Sequence, residues 1–407
     1  MRFTATVRRS RLAHRHLLAP GFRARGTEEV AEALVGLHAT DASTVALSAY
    51  ARLTQPTMAD VDRALYEDRT VLRMHCMRRT LFAVPTALAP VFHFSTAQTV
   101  AARERASLLK RLTAENPQWD ADWLAAAEQA ALDALVRLGE SGAEEIAAEV
   151  PVLRETVTLA RGKPYEAKQR VGGWVLRLLA MDGRVRRGRP QGGWTSGRFR
   201  YYAAPELPAL VPAEARAELV RRWLASYGPG TTDDVKWWTG WTVAHVREGL
   251  AAVGAVAVEL DEGSGWVLPG DYGAGGYVSE ARVPGTPDAP RPRRPREDAT
   301  EPYAALLPGL DPTTMGWKHR DWYLDPVHRP LLFDTNGNGG PTVWWNGEII
   351  GGWACRADGE IVWRQLADRG REAAAAVDAE AARLRTWLGE GRFVPSFPTP
   401  LARELTR

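Results

Sequence analysis

The stretch RRWLASYGPGTTDDVKWWTGWTVAHVREGLAAVGAVAVELDEGSGWVLP, residues 221–269, decides the fold class of this chain. The Gly-Pro-Gly at 228–230 ends one helix, and Thr231 or the next threonine can cap a second helix that stops at Gly240. Thr242 can cap a third helix, and the alternating segments on either side of DEGSG predict a two-stranded hairpin. Helix, turn, helix and hairpin in this order are typical of a winged-helix unit.

The same plan recurs twice before this stretch. In residues 8–96 a helix in TEEVAEALVGLHAT and a helix in TMADVDRALYED precede TVLRMHCMRRTLFAVP, which alternates like a pair of strands. In residues 122–207 the segment AEEIAAEV predicts one helix, and residues 165–183 predict a longer recognition helix. A basic hairpin follows at residues 183–202 and forms the second wing.

The second wing concentrates arginine. It contains no acidic residue between Asp182 and Glu206, and aromatic side chains are interleaved with its arginines, which suits a hairpin that follows a DNA backbone. The predicted DNA-binding arginines are Arg184, Arg186, Arg187, Arg189, Arg198 and Arg200. Two alternatives stay open: a GC-rich codon bias, since five of the 52 basic residues are lysine, and a solvated hairpin over a core.

The remainder of the chain differs in pattern. Asn-Gly and Asp-Gly turns between β-branched and aromatic runs predict a small barrel or sheet, followed by an amphipathic helix at 371–391 and an extended tail at 392–402. The predicted class is therefore α+β, with three tandem winged-helix domains followed by a β-barrel-like domain. The predicted boundaries are winged-helix units at 1–110, 111–208 and 209–270, a Pro/Gly-rich linker at 271–302, and the barrel-like domain at 303–407.

Several classes of protein are disfavoured by composition. Cys76 and Cys355 show neither metal nor disulfide spacing, which favours small core residues in a reducing compartment. No signal peptide or apolar run long enough for a membrane span is present, so we expect a cytoplasmic protein without membrane partners. GNGG at 337–340 lacks the context of a phosphate loop, so we expect neither a nucleotide cofactor nor a bound metal. We expect the chain to act as a monomer.

Four fragments in order carry a resemblance to a known family. They are LVGLHATDAST at 34–44, LRMHCMRRTLFAVP at 72–85, YGPGTTDDVKWWTGW at 227–241 and LLPGLDPTTMGWKHRDWYL at 306–324. Together they resemble the AlkZ/YcaQ family of DNA glycosylases over nearly the whole chain. The resemblance implies three winged-helix domains with a C-terminal β-barrel, double-stranded and damaged DNA as partner, and excision of alkylated or crosslinked purines.

The resemblance also points to a catalytic turn. The family carries Gln-apolar-Gln or Gln-apolar-Asp in its first winged-helix unit, with histidine at the first place in some members. The matching positions here are His38, Ala39 and Thr40, so the first place is within the family's range and the second departs from it. If the family's DNA-facing barrel hairpin is present, residues 334–341 with Asn336 and Asn338 are the candidate.

The chemistry of the turn can be argued from residue types. An N-alkylated purine already carries positive charge and leaves as a neutral base, so the protein must chiefly position a water near C1′ and stabilise an oxocarbenium-like sugar. We expect His38 to orient or deprotonate the water and Thr40 or Asp41 to hold it. Two structural alternatives stay open: Asp41 as a helix cap, and His38 and Thr40 as structural groups at a helix end. The alternative function is a non-catalytic DNA binder, a regulator or lesion sensor with a diverged motif.

Overall fold

The computed structural model describes residues 1–271 and 301–407. Most of the predicted linker at 271–302 lies outside the described residues. The first part of the chain, up to residue 97, contains five helices and three strands. They are α1 Ala5–Arg15, α2 Thr27–Ala33, β1 Leu37–His38, α3 Thr44–Tyr50, α4 Met58–Asp62, β2 Val71–His75, β3 Leu81–Pro85 and α5 Ala89–Phe92. The two predicted strands of TVLRMHCMRRTLFAVP are therefore confirmed as β2 and β3.

The second part, residues 98–203, contains four helices and two separate hairpins. The elements are α6 Gln98–Glu115, α7 Ala121–Leu138, α8 Ala143–Glu149, β4 Thr156–Leu159, β5 Ala167–Arg170, α9 Val171–Met181, β6 Val185–Pro190 and β7 Phe199–Ala203. The single long helix predicted from residue 165 onward was wrong at its start. Residues 167–170 instead form β5, which pairs with β4, so α9 begins only at Val171.

The third part matches its sequence prediction closely. It contains α10 Pro212–Tyr227, α11 Thr232–Thr239, α12 Val243–Ala252, β8 Val256–Leu260 and β9 Gly263–Val267. Thr231 caps α11 and forms a reciprocal capping box with Asp234. Gly240 ends α11 in the left-handed conformation, and Thr242 caps α12. Local capping chemistry therefore sets both ends of α11.

The part after residue 301 is built on one open sheet. Its elements are β10 Ala304–Leu307, α13 Arg329–Leu332, β11 Thr342–Trp345, β12 Glu348–Cys355, β13 Ile361–Gln365, α14 Gly370–Leu388 and α15 Pro400–Leu405. The sheet has the order β10-β11-β12-β13 with antiparallel neighbours. The predicted barrel is not closed within the described residues, because α14 packs against β10, β11 and β13 while α15 packs on β12. The tail predicted as extended ends in α15.

The remaining strands form a three-stranded sheet, ordered β1-β3-β2, and three two-stranded hairpins. The architecture is thus mixed α and β with several small sheets. No helix in the described ranges is both long and apolar enough to cross a bilayer.

The hydrophobic core is shared unevenly along the chain. One large cluster joins residues of the first, third and last parts, including Tyr50, Trp223 and Trp344, each at most 2% exposed. A separate cluster lies entirely within the second part, around Leu135 and Leu179. The first part has a core of its own around Leu34 and Leu37 and also contributes residues to the large cluster, whereas the buried core of the second part stays separate.

A buried polar network ties α3 to the segment after β10. Arg52 donates to both carboxylate oxygens of Asp311, at 2.9 and 2.7 Å, and both side chains are fully buried. Ser48 also donates to Asp311, at 2.7 Å, and Thr44 donates to the carbonyl of Gly309 at 2.8 Å. Removing one partner of such a buried pair typically costs about 3–5 kcal/mol. The network therefore holds α3, and the turn before it, against the last part of the chain.

Candidate active site and basic surfaces

The His-Ala-Thr turn continues a sheet and does not end a helix. His38 is the last residue of β1 and lies opposite Phe82 of β3. The pairing extends past the strand, because Ala39 donates its backbone N–H to Leu81 at 2.8 Å and the Thr40 hydroxyl accepts from the Leu81 backbone at 3.2 Å. The alternative that His38 and Thr40 are structural groups at a helix end therefore does not hold, and the turn is held by the edge of a three-stranded sheet.

His38 is a nearly buried, uncharged imidazole. Its side chain is 8% exposed, and its ring lies 5.0 Å from that of Phe82, measured between centroids. Burial, and after it the positive charge of Arg78, lowers the pKa of His38 from 6.5 to about 4. The carboxylates of Asp41 and Asp311 oppose this shift. At neutral pH the ring therefore offers one nitrogen as an acceptor and one as a donor.

The tautomer of His38 is set by a weak contact. Nδ1 of His38 accepts from the backbone N–H of Thr40 at 3.4 Å, which favours a proton on Nε2. That distance is at the long limit for a hydrogen bond. The tautomer with a bare Nε2 breaks this weak hydrogen bond and turns the Nδ1–H toward the Thr40 N–H, and it can accept a proton from water.

Thr40 and Asp41 differ in availability. Thr40 is exposed, and its hydroxyl retains a hydrogen to donate and a second lone pair beside the one used by Leu81. Asp41 is 5% exposed, and its carboxylate accepts from the backbone and hydroxyl of Ser43, at 2.9 and 2.6 Å. Its second oxygen accepts from the backbone of Ser396 at 2.6 Å. Asp41 thus fastens the turn to α3 and to the C-terminal tail.

The arginines of the β6–β7 hairpin, the predicted second wing, are largely engaged within the protein. Arg186 is 3% exposed and donates to the carbonyl of Gly183 at 2.8 Å, so it is not available as a surface ligand for phosphate. The half-buried Arg187 lies with its guanidinium carbon 5.2 Å from the ring centroid of Phe199. Arg186 and Arg187 therefore lack the exposed position that the sequence predicted for them at a DNA surface.

The other four hairpin arginines are more exposed, and three of them have protein partners. Arg189 pairs with Asp62 and Glu67 and lies over the ring of Tyr66. Arg200 donates to the carbonyl of Glu140 and pairs with Glu145 at 3.3 Å, and Arg184 donates to Gln129 at 3.2 Å. The exposed Arg198 side chain has no hydrogen-bond partner in the described part of the chain.

The hairpin is also covered at its tip. Trp194, between β6 and β7, has its ring centroid 6.0 Å from that of Trp387 in α14 and 6.4 Å from that of Phe393 in the tail. Strand β6 packs against β2 of the first part. The hairpin therefore joins the second part to the first and last parts, instead of projecting freely as a wing.

The candidate loop at 334–341 closes on itself. The Asp334 carboxylate accepts from the backbones of Asn336 and Asn338 and from the Asn338 side chain, all at 2.8 Å. These hydrogen bonds lower the pKa of Asp334, although burial alone would raise it. Asn336 is exposed, whereas Asn338 is partly buried and occupied by Asp334. The loop follows α13 and leads into β11, and an antiparallel bridge between Phe333 and Gly339 closes it.

Sequence analysis missed residues that approach the turn from elsewhere in the chain. Arg78, in the short turn between β2 and β3, is the cation that acts most strongly on His38. Ser396 and Asp311 reach the turn and α3 from the last part. The unusual Arg78-Arg79 pair between two apolar strands was the available signal for the first of these.

Residues 1–271 and 301–407 contain no group of three or more His, Cys, Asp and Glu side chains placed to hold a metal ion. Cys76 and Cys355 are both free thiols and both buried. A cleft of about 510 Å³ is lined by Asp358, Trp363 and Asp378 among others, and none of its lining residues belongs to the His-Ala-Thr turn.

Comparison with known proteins identifies the family. The family model described as DNA glycosylase AlkZ-like matches residues 31–387. The structure is similar to that of Streptomyces sahachiroi DNA glycosylase AlkZ, with a TM-score of 0.67 and 20% sequence identity, covering 97% of this chain and 99% of that one. At this identity the structural likeness establishes the fold alone, and no curated protein sequence matches the chain. Because the family model spans most of the chain, the protein belongs to the AlkZ-like family of DNA glycosylases.

Proposed function

We propose that the protein is a monofunctional DNA glycosylase that hydrolyses the N-glycosidic bond of N7- or N3-alkylated purines in duplex DNA. The observation that carries the proposal is the uncharged His38 beside the exposed Thr40, on a turn held by a sheet and by the C-terminal tail. Membership of the AlkZ-like family supplies DNA as the substrate class.

In this proposal His38 and Thr40 act on the water. The alkylated base leaves as a neutral group, so the barrier lies in forming an oxocarbenium-like sugar and delivering water to it. The Nε2-bare tautomer of His38 accepts one proton from the water as its oxygen bonds to C1′ and the base leaves with the electron pair of the glycosidic bond. The free lone pair of the Thr40 hydroxyl accepts a hydrogen bond from the second O–H of the water. Histidine and threonine thereby replace the amide or carboxylate pair of the family's motif.

Asp41 is a positioning residue in this mechanism. Its two oxygens already accept three hydrogen bonds from Ser43 and Ser396, so the water has no need of them. The carboxylate nevertheless places negative charge beside the turn, and negative charge favours a cationic sugar. Its main contribution is to keep Thr40 at the end of the sheet.

The proposed scaffold is three winged-helix units at 1–110, 111–208 and 209–270, followed by a linker and a sheet domain at 303–407. Each of the first three parts contains helices followed by a β-hairpin, which supports this assignment. The proposed substrate is damaged duplex DNA bound by one copy of the chain. Arg198 and Asn336 stay candidate DNA contacts, since both side chains are exposed.

The alternative is a DNA binder without glycosylase activity. It is favoured by one observation: the second place of the motif is a threonine whose hydroxyl already accepts a backbone hydrogen bond from Leu81. A weakly basic hydroxyl and a histidine in its proton-on-Nε2 tautomer would bind DNA without activating water.

Base release from defined duplexes separates the two functions. Duplexes containing 7-methylguanine and bulkier N7 and N3 adducts are incubated with the full chain, and free base is quantified by chromatography. We expect release by the wild type and a loss of roughly 100-fold or more in His38→Ala, as for removal of a general base. His245→Ala is the matched control, because His245 lies on α12 outside the turn. Salt-sensitive binding without release from any adduct would establish the binder instead.

A further inference from the structure

Five side chains from separate parts of the chain form an alternating stack of arginines and aromatic rings. We call it the arginine–aromatic ladder, and its members are Arg78, Trp237, Arg320, Phe333 and Arg329. The guanidinium carbons of Arg78 and Arg320 lie 4.5 and 4.7 Å from the ring centroid of Trp237. On the far side, Arg320 lies 5.0 Å and Arg329 lies 5.9 Å from the ring centroid of Phe333.

The ladder carries three positive charges without a paired carboxylate. Among the described residues, none of its arginines forms an ion pair, whereas Arg189 and Arg200 of the β6–β7 hairpin do. Arg320 is 4% exposed, and although its Nε donates to the carbonyl of Thr314, its buried Nη2 has no hydrogen-bond partner within residues 1–271 and 301–407. Burial, and then the neighbouring positive charge, lowers the pKa of both Arg78 and Arg320. Such a cluster is electrostatically incomplete, and an anion would satisfy it.

Glycine at position 240 makes the first step of the ladder possible. A Cβ at Gly240 would lie 2.8 Å from Cγ of Arg78, too close for a larger residue. Gly240 also has φ of 73°, which ends α11 beside Trp237. The same glycine therefore terminates the helix and leaves room for Arg78 to lie on the indole ring.

Stacking leaves the hydrogen-bonding edges of the arginines available. A guanidinium attracted to an aromatic ring uses its flat face, while its N–H donors point outward in the plane. The rings thereby restrict the rotamers of Arg78 and Arg329, both of which are exposed, without consuming their donors. Planar forks held in this way match the paired oxygens of a phosphate.

The ladder begins beside the candidate active site. Arg78 follows β2 in the turn that leads to β3, and β3 pairs with β1 at His38. Arg78 is close enough to be the largest electrostatic influence on the His38 ring. An anion bound at this end of the ladder would therefore lie next to the His-Ala-Thr turn.

We infer that the arginine–aromatic ladder binds a backbone phosphate of the DNA strand, next to the sugar placed at His38. The inference rests on the proposed function for the identity of that sugar. Arg78 and Arg329 are the direct phosphate ligands, and Arg320 holds the stack together between the two rings. The ladder thus replaces the β6–β7 hairpin as the main cationic contact close to the site.

Binding of an undamaged duplex tests the inference without requiring base release. Full-length wild type, Arg78→Ala and Arg329→Ala are titrated by fluorescence anisotropy at several salt concentrations between about 50 and 200 mM. Each substitution should weaken binding about tenfold, as for loss of a charge-assisted hydrogen bond, and reduce the salt slope by about one. Arg78→Lys should recover part of the affinity, since it keeps the charge but loses the planar fork.

Arg111→Ala is the matched control. Arg111 is exposed on α6 and, like Arg78, forms no ion pair with any residue of the described ranges, but it has no aromatic ring partner there. If Arg78→Ala and Arg329→Ala weaken binding no more than Arg111→Ala, the ladder is not a phosphate site. Thermal unfolding of each variant verifies that the fold is retained. The glycosylase proposal fails separately from this inference if the wild type releases no base while its binding to duplex DNA still depends on the ladder.

Discussion

The β6–β7 hairpin and the arginine–aromatic ladder are both rich in arginine, and they use it in opposite ways. In the hairpin, six arginines fall within 17 consecutive positions, yet Arg186 is buried and three others contact acceptors of the protein. In the ladder, three arginines from distant positions stack on aromatic rings and have no carboxylate partner among the described residues. The free donors, and not the density of arginine, distinguish a surface that can still bind phosphate.

The comparison is tested most severely by Arg186→Ala. We expect the free energy of unfolding to fall by about 2–3 kcal/mol, because a buried side chain is removed and the carbonyl of Gly183 loses its donor. This loss outweighs the relief from removing a buried charge. Urea unfolding measures the change, and Arg184→Ala, exposed two positions earlier, should alter stability by less than about 0.5 kcal/mol. If Arg186→Ala left stability unchanged but weakened DNA binding, Arg186 would belong to the DNA-binding surface after all.

The contact between β2 and the β6–β7 hairpin should also lose stability as the pH falls. Burial, and after it the positive charge of Arg187, lowers the pKa of His75 from 6.5 to about 3. Both ring nitrogens of His75 are buried. As pH falls below 6.5 the unfolded chain gains a proton that the folded chain refuses, so stability is progressively lost down to the folded pKa.

At a pH of about 5 this one histidine should cost about 2 kcal/mol of stability. His75→Leu removes the proton uptake, so its unfolding free energy should depend less on pH than that of the wild type by about that amount. Urea unfolding of both proteins at neutral pH and at the lower pH measures the difference. If the unfolding free energies of the two proteins depended on pH in the same way, His75 would not be buried as a neutral side chain between β2 and the β6–β7 hairpin.

The smallest expected effect concerns the electrostatic link between the ladder and the turn. Because the charge of Arg78 lowers the pKa of His38, which lies at about 4, Arg78→Ala should raise that pKa. Histidine NMR titration measures the shift directly, and the acid side of any base-release profile should move to higher pH in the same direction. Arg79→Ala is the control, because Arg79 is the next residue but pairs with Glu104 at 3.3 Å. If the pKa of His38 shifted equally in both variants, the ladder would have no specific electrostatic effect on His38.

The elements that depend on local chemistry were predictable from sequence. Thr231, Gly240 and Thr242 set the helix ends of the third part through their own caps, so α11, α12 and the β8–β9 hairpin are confirmed. The start of α9 was not predictable, because β5 forms only through pairing with β4, and strand pairing depends on structural context. Closure of the last sheet into a barrel failed for the same reason, since packing of α14 across it is not encoded in the strands themselves.

The site was predictable only in part. The turn at residues 38–40 was found through its resemblance to a family motif, and the structure shows that it continues a sheet. The ladder was not found, because it brings residues 78, 237 and 320 together and no local pattern relates them. Which arginines keep free donors also depends on partners far along the chain, as the pairing of Arg189 with Asp62 illustrates.

The long-range anchoring of the turn has a consequence for synthesis of the protein. Asp41 is fastened to Ser396, 355 positions later, and Arg52 to Asp311, 259 positions later. A ribosome making the chain must therefore release almost all of it before the site can assume its final geometry. Nascent and prematurely terminated chains should accordingly carry the His-Ala-Thr motif in an unassembled form.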